Sequence, residues 1–424
     1  MSLGHKAFYK NTAWQYGLQA VKYIFPLITL PYLTRVLEPE GYAVYAYVVS
    51  FMTFAQVVVD FGFNLSGTKK IVAAENVDDE NRAIGAVTQA RLLLSAIAGV
   101  AVSIIALCIP ITRANLLYTM LAFVAVAGKA MAPDFVFQGH EQMGPLTTRY
   151  FVSKGLSTAL TFVFVHSIAD ILWVPTLDIV SSVIALVWSF LAAKRMFGTT
   201  IARVPASDMF AELRTSALYC LSNIASTAFS GFTTLLIGIV ITDAVQISYW
   251  SLAMTAVGAV QALYAPITNS LYPHMVAGRD FGFARKLAFI SIPFIIGGTV
   301  LFFAISDWIV LVLGGQDYLP GVYVMRMVSP VLVFSFYGMF FGWPVLGAAG
   351  RVKELTRSTV IAGVFSVVAL LGVTAVGAAS IAAFAVVRSL TEALMCGLRL
   401  FECWRAFKKG GPQDGKAADG GIQA

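Results

Sequence analysis

Polar and charged side chains interrupt several long apolar segments, at spacings that would bring them together on one helix face. The first segment carries one such stripe, which consists of Gln15, Gln19, Lys22 and Thr29. Positions three, four and seven apart share a face of a helix. Lys22 lies about ten residues, or roughly 15 Å, inside its segment, where an ammonium group is costly unless it meets a polar cavity or an anion. The stripe predicts a binding surface; the alternative is an ion pair of Lys22 with Asp60, Asp134 or Asp178.

Three further segments carry comparable stripes. They consist of Thr53, Gln56, Asp60 and Asn64; of Asn223, Ser226 or Thr227, Ser230 and Thr234; and of Gln261, Tyr264 and Thr268. Small hydroxyl residues also pack helices closely together, so the second of these sets fits either role. Four stripes on four segments favour a shared polar cavity.

Other charges within apolar segments have two interpretations. Lys129 lies about 14 residues, or roughly 21 Å, inside its segment, and a cavity role and a structural ion pair fit it equally well. Asp134 stands about 140° round the helix from Lys129, which makes it a poor partner unless Pro133 bends the chain. Arg326 could reach the membrane interface or point inward.

The remaining charges favour structural roles. Arg388 and Glu392 stand four residues apart, the spacing of an intrahelical salt bridge. Glu392 and Asp60 are also candidates for coupling transport to protons or sodium. Long basic side chains near segment ends can snorkel to water. This interpretation applies to Arg91, Lys154 and Arg399.

No recognisable reaction chemistry accompanies these charges. The sequence contains no nucleophile paired with a base, no Walker loop and no HExxH helix, and its histidines lack metal-ligand spacing. The four cysteines are widely spaced in or beside apolar segments, which predicts helix packing rather than disulfides. We predict no catalytic residues, no metal and no cofactor.

Composition sets the class of protein. Of 424 residues, 58% are hydrophobic and 12% charged, whereas about 25% is the usual charged fraction of soluble proteins. Twelve apolar runs approach the roughly 20 residues that cross a bilayer. They fall near 12–36, 42–62, 84–110, 114–137, 147–168, 172–193, 216–241, 245–271, 287–313, 321–344, 357–378 and 380–402. Because they lack the alternation of a membrane barrel, they predict an all-α integral membrane protein with twelve transmembrane helices.

Lysine and arginine set the predicted orientation. They crowd into alternate loops and both ends of the chain, while the opposite loops hold little beyond Arg35 and Arg113. Since basic loops stay in the cytoplasm, both termini are predicted to be cytoplasmic. The net charge of +7 then reflects topology and gives no reason to expect nucleic acid.

A basic loop between the sixth and seventh runs divides the chain. We predict an N-terminal six-helix lobe over 1–200, a C-terminal six-helix lobe over 201–405 and a disordered tail over 406–424. Six is even, so both lobes cross the membrane in the same sense, as parallel repeats about the membrane normal would. The similar segments LTTR at 146–149 and LTRS at 355–358 are consistent with a duplicated six-helix unit.

A helix break at Pro133 opens a short polar loop, PDFVFQGHEQMG at 133–144. It resembles the signature after the fourth helix of the Wzx-type oligosaccharide flippases, members of the MOP superfamily that also contains the MATE exporters. The likeness rests on Pro133, Phe137, Gln138, Gly139, Glu141 and Met143. Further segments that resemble this family are RVLEPEGYAVYAY at 35–47, DFGFNLSGTKK at 60–70, SYWSLAM at 248–254, SLYP at 270–273 and LGAAGRVKE at 346–354.

The resemblance implies a MATE-like fold in which helices one, two, seven and eight line a central cavity. It also implies a flippase of the bacterial inner membrane, which moves an undecaprenyl-diphosphate-linked oligosaccharide to the periplasmic leaflet by alternating access. The product would be O antigen, capsule or exopolysaccharide, and the partners would be membrane lipids, a polysaccharide polymerase and a chain-length regulator. Lys22 would bind the diphosphate or an acidic sugar, with Lys129 and Arg326 as secondary contacts. The glycan contacts would be Gln15, Gln19, Gln56, Asn223 and Gln261.

Two other functions stay open at this point. A MATE-like multidrug exporter shares the architecture, but its cationic substrates favour acidic rather than lysine-bearing cavities. An integral-membrane glycosyltransferase or polymerase would need a large periplasmic loop with catalytic carboxylates. The aspartates of the predicted periplasmic loops stand alone in short loops, and they are Asp170, Asp243, Asp307 and Asp317. A transporter is therefore favoured over an enzyme.

We expect Asp170 and Asp243 to lie in periplasmic turns, because their loops alternate with the basic loops. Cysteine placed at either position, in a background without the native cysteines, should react with a membrane-impermeant thiol reagent added to intact cells. Labelling of both positions only after lysis would contradict the topology.

Overall fold

The chain is helical wherever it is described. The structure is a computed structural model that describes residues 3–264, 267–268, 271, 275 and 281–408, with side chains except at 3–12, 15, 218, 221–230 and 406–408. No strand occurs in these residues. In chain order the α-helices are α1 (Leu3–Val36), α2 (Glu38–Asp60), α3 (Phe63–Ala73), α4 (Val77–Cys108), α5 (Pro110–Ala114), α6 (Leu116–Ala130), α7 (Asp134–Gly139), α8 (Met143–Phe164), α9 (Trp173–Phe197), α10 (Ala206–Val240), α11 (Ala244–Ala262), α12 (Phe281–Ala304), α13 (Ser306–Leu313), α14 (Val322–Val328), α15 (Pro330–Phe340), α16 (Val352–Ala375) and α17 (Ile381–Lys408).

The long helices are apolar enough for a membrane. Among the described residues, eight helices are long and hydrophobic enough to cross one, which makes this a multi-pass membrane protein. Each of the twelve predicted runs contains a helix, but the runs on α1, α8, α10 and α11 are not among those eight. The number of twelve spans therefore stays a prediction.

Contacts divide the chain into two compact units. Unit 1 comprises Met1–Leu252 and Ile309–Gly321, and unit 2 comprises Ala253–Trp308 and Val322–Ala424. The two six-helix lobes, 1–200 and 201–405, stay a prediction. The tail expected to be disordered, 406–424, lies outside the described residues from position 409 onward.

Unit 1 packs long helices side by side. Within it α1 lies against α8, α2 lies against α6 and α10, and α6 and α8 both lie against α9. In unit 2 the last helix, α17, packs against α14, α15 and α16. The polar interior described below is therefore formed in unit 1 by four neighbouring helices.

The helix break at Pro133 is present, but the segment after it is not a polar loop. The helix α6 ends at Ala130, and α7 begins at Asp134 directly after the proline. Phe135 and Phe137 on α7 are buried in a hydrophobic core of unit 1. The sequence showed the break but missed the short helix, because burial of these aromatic rings depends on contacts distant in sequence.

A buried arginine holds the backbone beside this break. Arg91 on α4 is 1% exposed and donates from Nη1 to the Ala132 carbonyl at 2.9 Å and from Nη2 to Asn64 Oδ1 at 3.2 Å. The expectation that Arg91 snorkels to water is wrong. In a bilayer, polar backbone groups have to be satisfied by the protein itself, and this guanidinium serves that need.

Unit 2 contains a comparable arrangement. Arg399 on α17 donates from Nη1 to the Gly338 carbonyl at 2.5 Å, from Nε to the Ser358 hydroxyl at 3.2 Å and from Nη2 to the Thr359 hydroxyl at 2.9 Å. Three residues after Gly338 the chain leaves α-helical geometry for a π-helical segment, Phe341–Gly347. The snorkelling expected for Arg399 is therefore also wrong.

The close packing of α2 on α10 allows a direct test. A Cβ atom added at Gly238 would lie 1.9 Å from the ring of Tyr47, whose hydroxyl donates to the Leu235 carbonyl at 3.1 Å. We expect Gly238→Ala to reduce the free energy of unfolding by about 1–3 kcal/mol, because it overpacks this contact. Thermal unfolding of the purified protein in detergent measures the loss.

Gly297→Ala is the matched control, because a Cβ at Gly297 on α12 meets nothing within 4 Å. Alanine is about 0.8–1.0 kcal/mol more favourable than glycine inside a helix, so this variant should be at least as stable as the parent. Equal melting temperatures for the two variants would show that Gly238 does not set the packing of α2 on α10.

Candidate functional site

A polar cavity lies inside unit 1, enclosed by α2, α6, α8 and α9. Its volume is about 320 Å³, at the lower end of the roughly 300–1,000 Å³ of ordinary ligand pockets. Its charged, amide and phenol side chains are Tyr45, Gln56, Tyr118, Lys129, Arg149, Tyr150, Lys154 and Asp178. We call it the unit-1 cavity. Its size suits a charged group or one sugar ring rather than a whole oligosaccharide.

One ion pair crosses this cavity. Lys154 on α8 donates from Nζ to Asp178 Oδ1 on α9 at 2.7 Å, and the Ser157 hydroxyl donates to the same oxygen at 3.2 Å. Lys154 lies roughly 17 Å along α8 from its first residue. The expectation that Lys154 snorkels is wrong, because its charge is matched within the bundle.

A second ion pair lies at the end of the cavity where α6 ends and α7 begins. Arg149 donates from its two terminal nitrogens to the two oxygens of Asp134, at 2.5 and 3.2 Å, and from Nη1 to the Ser189 hydroxyl at 2.6 Å. This fork-like geometry fixes both partners. The Arg149 side chain is buried.

Two lysines differ from these paired charges. Lys129 is exposed in the unit-1 cavity, and Lys22 on α1 is exposed with its ammonium 5.9 Å from the centre of the Tyr150 ring, which also lines the cavity. Within the described part of the chain, neither lysine forms an ion pair. Lys129 thus lines the unit-1 cavity and Lys22 lies beside one of its lining residues, and a cationic binding site at these two lysines stays a prediction.

The acids that could have paired with Lys22 all face other bases. Asp60 Oδ1 lies 3.8 Å from Arg91, Asp134 Oδ1 lies 2.5 Å from Arg149, and Asp178 Oδ1 lies 2.7 Å from Lys154. The structural ion pair that the sequence left open for Lys22 is therefore not formed. Its ammonium stays available to a ligand.

The other predicted contacts are placed as follows. Gln56 lines the unit-1 cavity and donates from Nε2 to Asp60 Oδ2 at 3.3 Å, while Gln19 is exposed on α1. Gln261 is half-buried on α11. The side chains of Gln15 and Asn223 lie outside the described residues.

The predicted charges of unit 2 are engaged with their own neighbours. Arg326 forms an ion pair with Asp307 and lies 5.6 Å from the centre of the Phe303 ring. The predicted salt bridge between Arg388 and Glu392 is confirmed, at 2.7 Å with both side chains buried. Of the two coupling candidates, Glu392 is thus enclosed with a base, whereas the Asp60 side chain is 22% exposed.

Sequence reasoning missed several lining residues, namely Tyr45, Tyr150, Lys154 and Asp178. A partial signal existed for two of them. Lys154 and Asp178 are unlike charges in consecutive apolar runs, which usually pack as neighbours, but their distances from the turn between the runs, about 14 and 6 residues, do not match. The tyrosines gave no such signal, because a phenol on an apolar helix usually indicates packing.

Several solved structures share the fold of this chain. The fold matches an inward-facing multidrug resistance MATE family transporter of the MOP superfamily, with a TM-score of 0.66 and 14% identity over 92% of this chain and 99% of that one. It also matches an outward-facing MATE family transporter, with a TM-score of 0.56 over 96% of this chain and 97% of that one. At this identity the likeness concerns the fold.

The chain belongs to the polysaccharide biosynthesis protein family, whose model matches residues 8–278. A candidate O-antigen transporter of Escherichia coli (strain K12) is 24% identical over 380 residues, which cover 86% of this chain and 89% of the relative. A second candidate O-antigen transporter, from Shigella dysenteriae, is 24% identical over 369 residues. These relatives confirm the family resemblance and the prediction of a transporter rather than an enzyme.

The ion pair across the cavity should be thermodynamically coupled. Lys154→Met and Asp178→Asn should each reduce the free energy of unfolding by about 1.5–3 kcal/mol, because each strands the partner of a charged hydrogen bond. The double variant should lose less than the sum of both, since it removes both charges together. Melting temperatures in detergent give the comparison, with Lys194→Met at the exposed end of α9 as the control. Strictly additive losses would show that the two charges are uncoupled.

Proposed function

We propose that the protein is a flippase that moves an undecaprenyl-diphosphate-linked oligosaccharide from the cytoplasmic to the periplasmic leaflet of the bacterial inner membrane. The observation that carries this proposal is the pair of exposed ammonium groups at Lys22 and Lys129, beside a cavity whose acid is already paired. The names of the two relatives support a polysaccharide unit as the substrate.

The chemistry of such a substrate fits these residues. A diphosphate is anionic, a glycan cannot leave water without replacement hydrogen bonds, and a polyprenyl tail can stay in the hydrocarbon. The two ammonium groups would replace water around the anion as compact point charges. The amide of Gln56 and the hydroxyl of Tyr150 would serve one sugar ring within the unit-1 cavity.

We further propose that transport proceeds by alternating access of two six-helix lobes, 1–200 and 201–405, with both termini in the cytoplasm. Asp60 is the better coupling candidate, because it is accessible and only 3.8 Å from Arg91. A proton or sodium ion at this carboxylate would weaken its attraction to the guanidinium. A polymerase and a chain-length regulator would receive the translocated unit.

A multidrug exporter is the less supported alternative. An accessible carboxylate favours the binding of cationic drugs, and among the described residues that line the unit-1 cavity Asp178 is the one acid. Lys154 already neutralises it at 2.7 Å. The charge of this cavity therefore favours anionic over cationic ligands.

Lys22→Ala should abolish export of the glycan while leaving the protein folded, because the lysine contributes a charge to the ligand and to no internal ion pair. Lys22→Arg should retain part of the activity, since the charge survives with a different geometry. Complementation of a flippase deletion strain measures activity, and yield with melting temperature measures folding. Lys194→Ala, which removes an exposed lysine from the end of α9, is the matched control.

Two results would contradict this role. Full complementation by Lys22→Ala would remove the residue from the mechanism and leave Lys129 as the cation to examine. A fall in melting temperature that accounts for the lost export would assign Lys22 to stability instead.

A further inference from the structure

A second and larger cavity opens on another face of α9. Its volume is about 1130 Å³, which exceeds the roughly 300–1,000 Å³ of ordinary ligand pockets. The unit-1 cavity is lined by Ser182 of α9, whereas this one is lined by Val187, about 140° further round the helix. We call the second cavity the α9 groove. It thus lies outside the polar interior of the four-helix group.

The floor of the α9 groove is apolar and elongated. Val183, Val187 and Leu191 follow each other at intervals of four along α9, with 51, 52 and 58% of their surfaces exposed. The same row continues to Arg195, so the groove extends over about 12 residues, or roughly 18 Å. One leaflet contributes about half of the roughly 30 Å hydrocarbon core. The length therefore fits a single acyl chain lying along the helix.

The polar end of the α9 groove carries charges of both signs. Arg195 and Glu141 line it, are exposed, and form no ion pair in the described part of the chain. His140 is engaged separately, 3.1 Å from Glu80 and stacked on Phe197. The groove therefore offers one cation and one anion to a ligand.

A tryptophan marks the depth of this end. Trp14 on α1 lines the α9 groove, is 37% exposed and lies beside Gly144, three residues after Glu141. Tryptophan is enriched where the hydrocarbon meets the head groups. The polar end of the groove therefore lies at the membrane surface, on the side that the sequence predicts to be cytoplasmic.

We infer that the α9 groove binds a phospholipid with a phosphoethanolamine head group, whose phosphate meets Arg195 and whose ammonium meets Glu141. An acyl chain then covers Val183, Val187 and Leu191. Glu141 favours this lipid over two other ligands, a phosphoglycerol lipid and a polyprenyl diphosphate. Both of these are anionic and carry no ammonium group to offset the carboxylate. The inference concerns a resident lipid and is independent of which substrate the protein transports.

Native mass spectrometry of the delipidated full-length protein tests this assignment, with titrations of dioleoyl-phosphatidylethanolamine and dioleoyl-phosphatidylglycerol. We expect the ethanolamine lipid to bind more tightly. Arg195→Gln should weaken both lipids by about fivefold, the effect of one basic residue near an anionic group at the membrane surface. Glu141→Gln should weaken the ethanolamine lipid alone and remove the preference.

Matched controls separate the groove from general charge effects. Lys194→Gln removes the neighbouring positive charge, and Glu75→Gln removes an exposed carboxylate elsewhere; neither residue lines the groove, so both variants should bind as the parent does. Val187→Trp should fill the groove and lower binding of both lipids, whereas Val180→Trp, two turns away and also exposed, should not.

Two outcomes would overturn the assignment. The first is equal binding of the two lipids that Glu141→Gln leaves unchanged. The second is tighter binding of undecaprenyl diphosphate that Arg195→Gln abolishes, which would give the groove to the polyprenyl carrier. Melting temperatures of all variants confirm that each protein is folded before its binding is compared.

Discussion

Within a bilayer the protein itself has to supply every partner for a polar group, since hydrocarbon offers none. The buried side chains of both units follow from this constraint. Arg91 and Arg399 hold backbone carbonyls, and each of their guanidiniums also contacts side-chain oxygens. The charged residues of the interior are not scattered exceptions to an apolar bundle. Their hydrogen bonds hold the segments in which the helical geometry is interrupted.

The same constraint explains why the unpaired cations are informative. Across unit 1 the acids Asp134 and Asp178 are matched by bases at hydrogen-bonding distance. Lys129 in the unit-1 cavity and Lys22 beside it have no such acidic partner among the described residues, which leaves an excess of positive charge there. An excess of one sign in a membrane protein is unfavourable unless an ion of the opposite sign enters. The unpaired positive charge therefore lowers the stability of the empty site and raises its affinity for an anion.

The helices and the helix break at Pro133 could be predicted because they depend on local sequence, namely apolar runs and a residue that cannot donate a backbone hydrogen bond. The pair of Arg388 and Glu392 was equally local, since both residues lie on one helix. Which base meets Asp134 or Asp178 was not predictable, because it depends on the rotation and neighbours of separate helices. Distance from a segment end was a misleading guide for Arg91, which is buried and donates to the Ala132 carbonyl and to Asn64 of α3 instead of reaching water.

Arg399 has a mechanical consequence for unit 2. Its guanidinium grips one carbonyl and two hydroxyls at once, on α15 and α16, beside the irregular turn of Phe341–Gly347. These bonds link the helices on the two sides of the turn, so a change in the angle between α15 and α16 would strain them. In any conformational change of unit 2, we therefore expect bending at segments that are not bridged in this way.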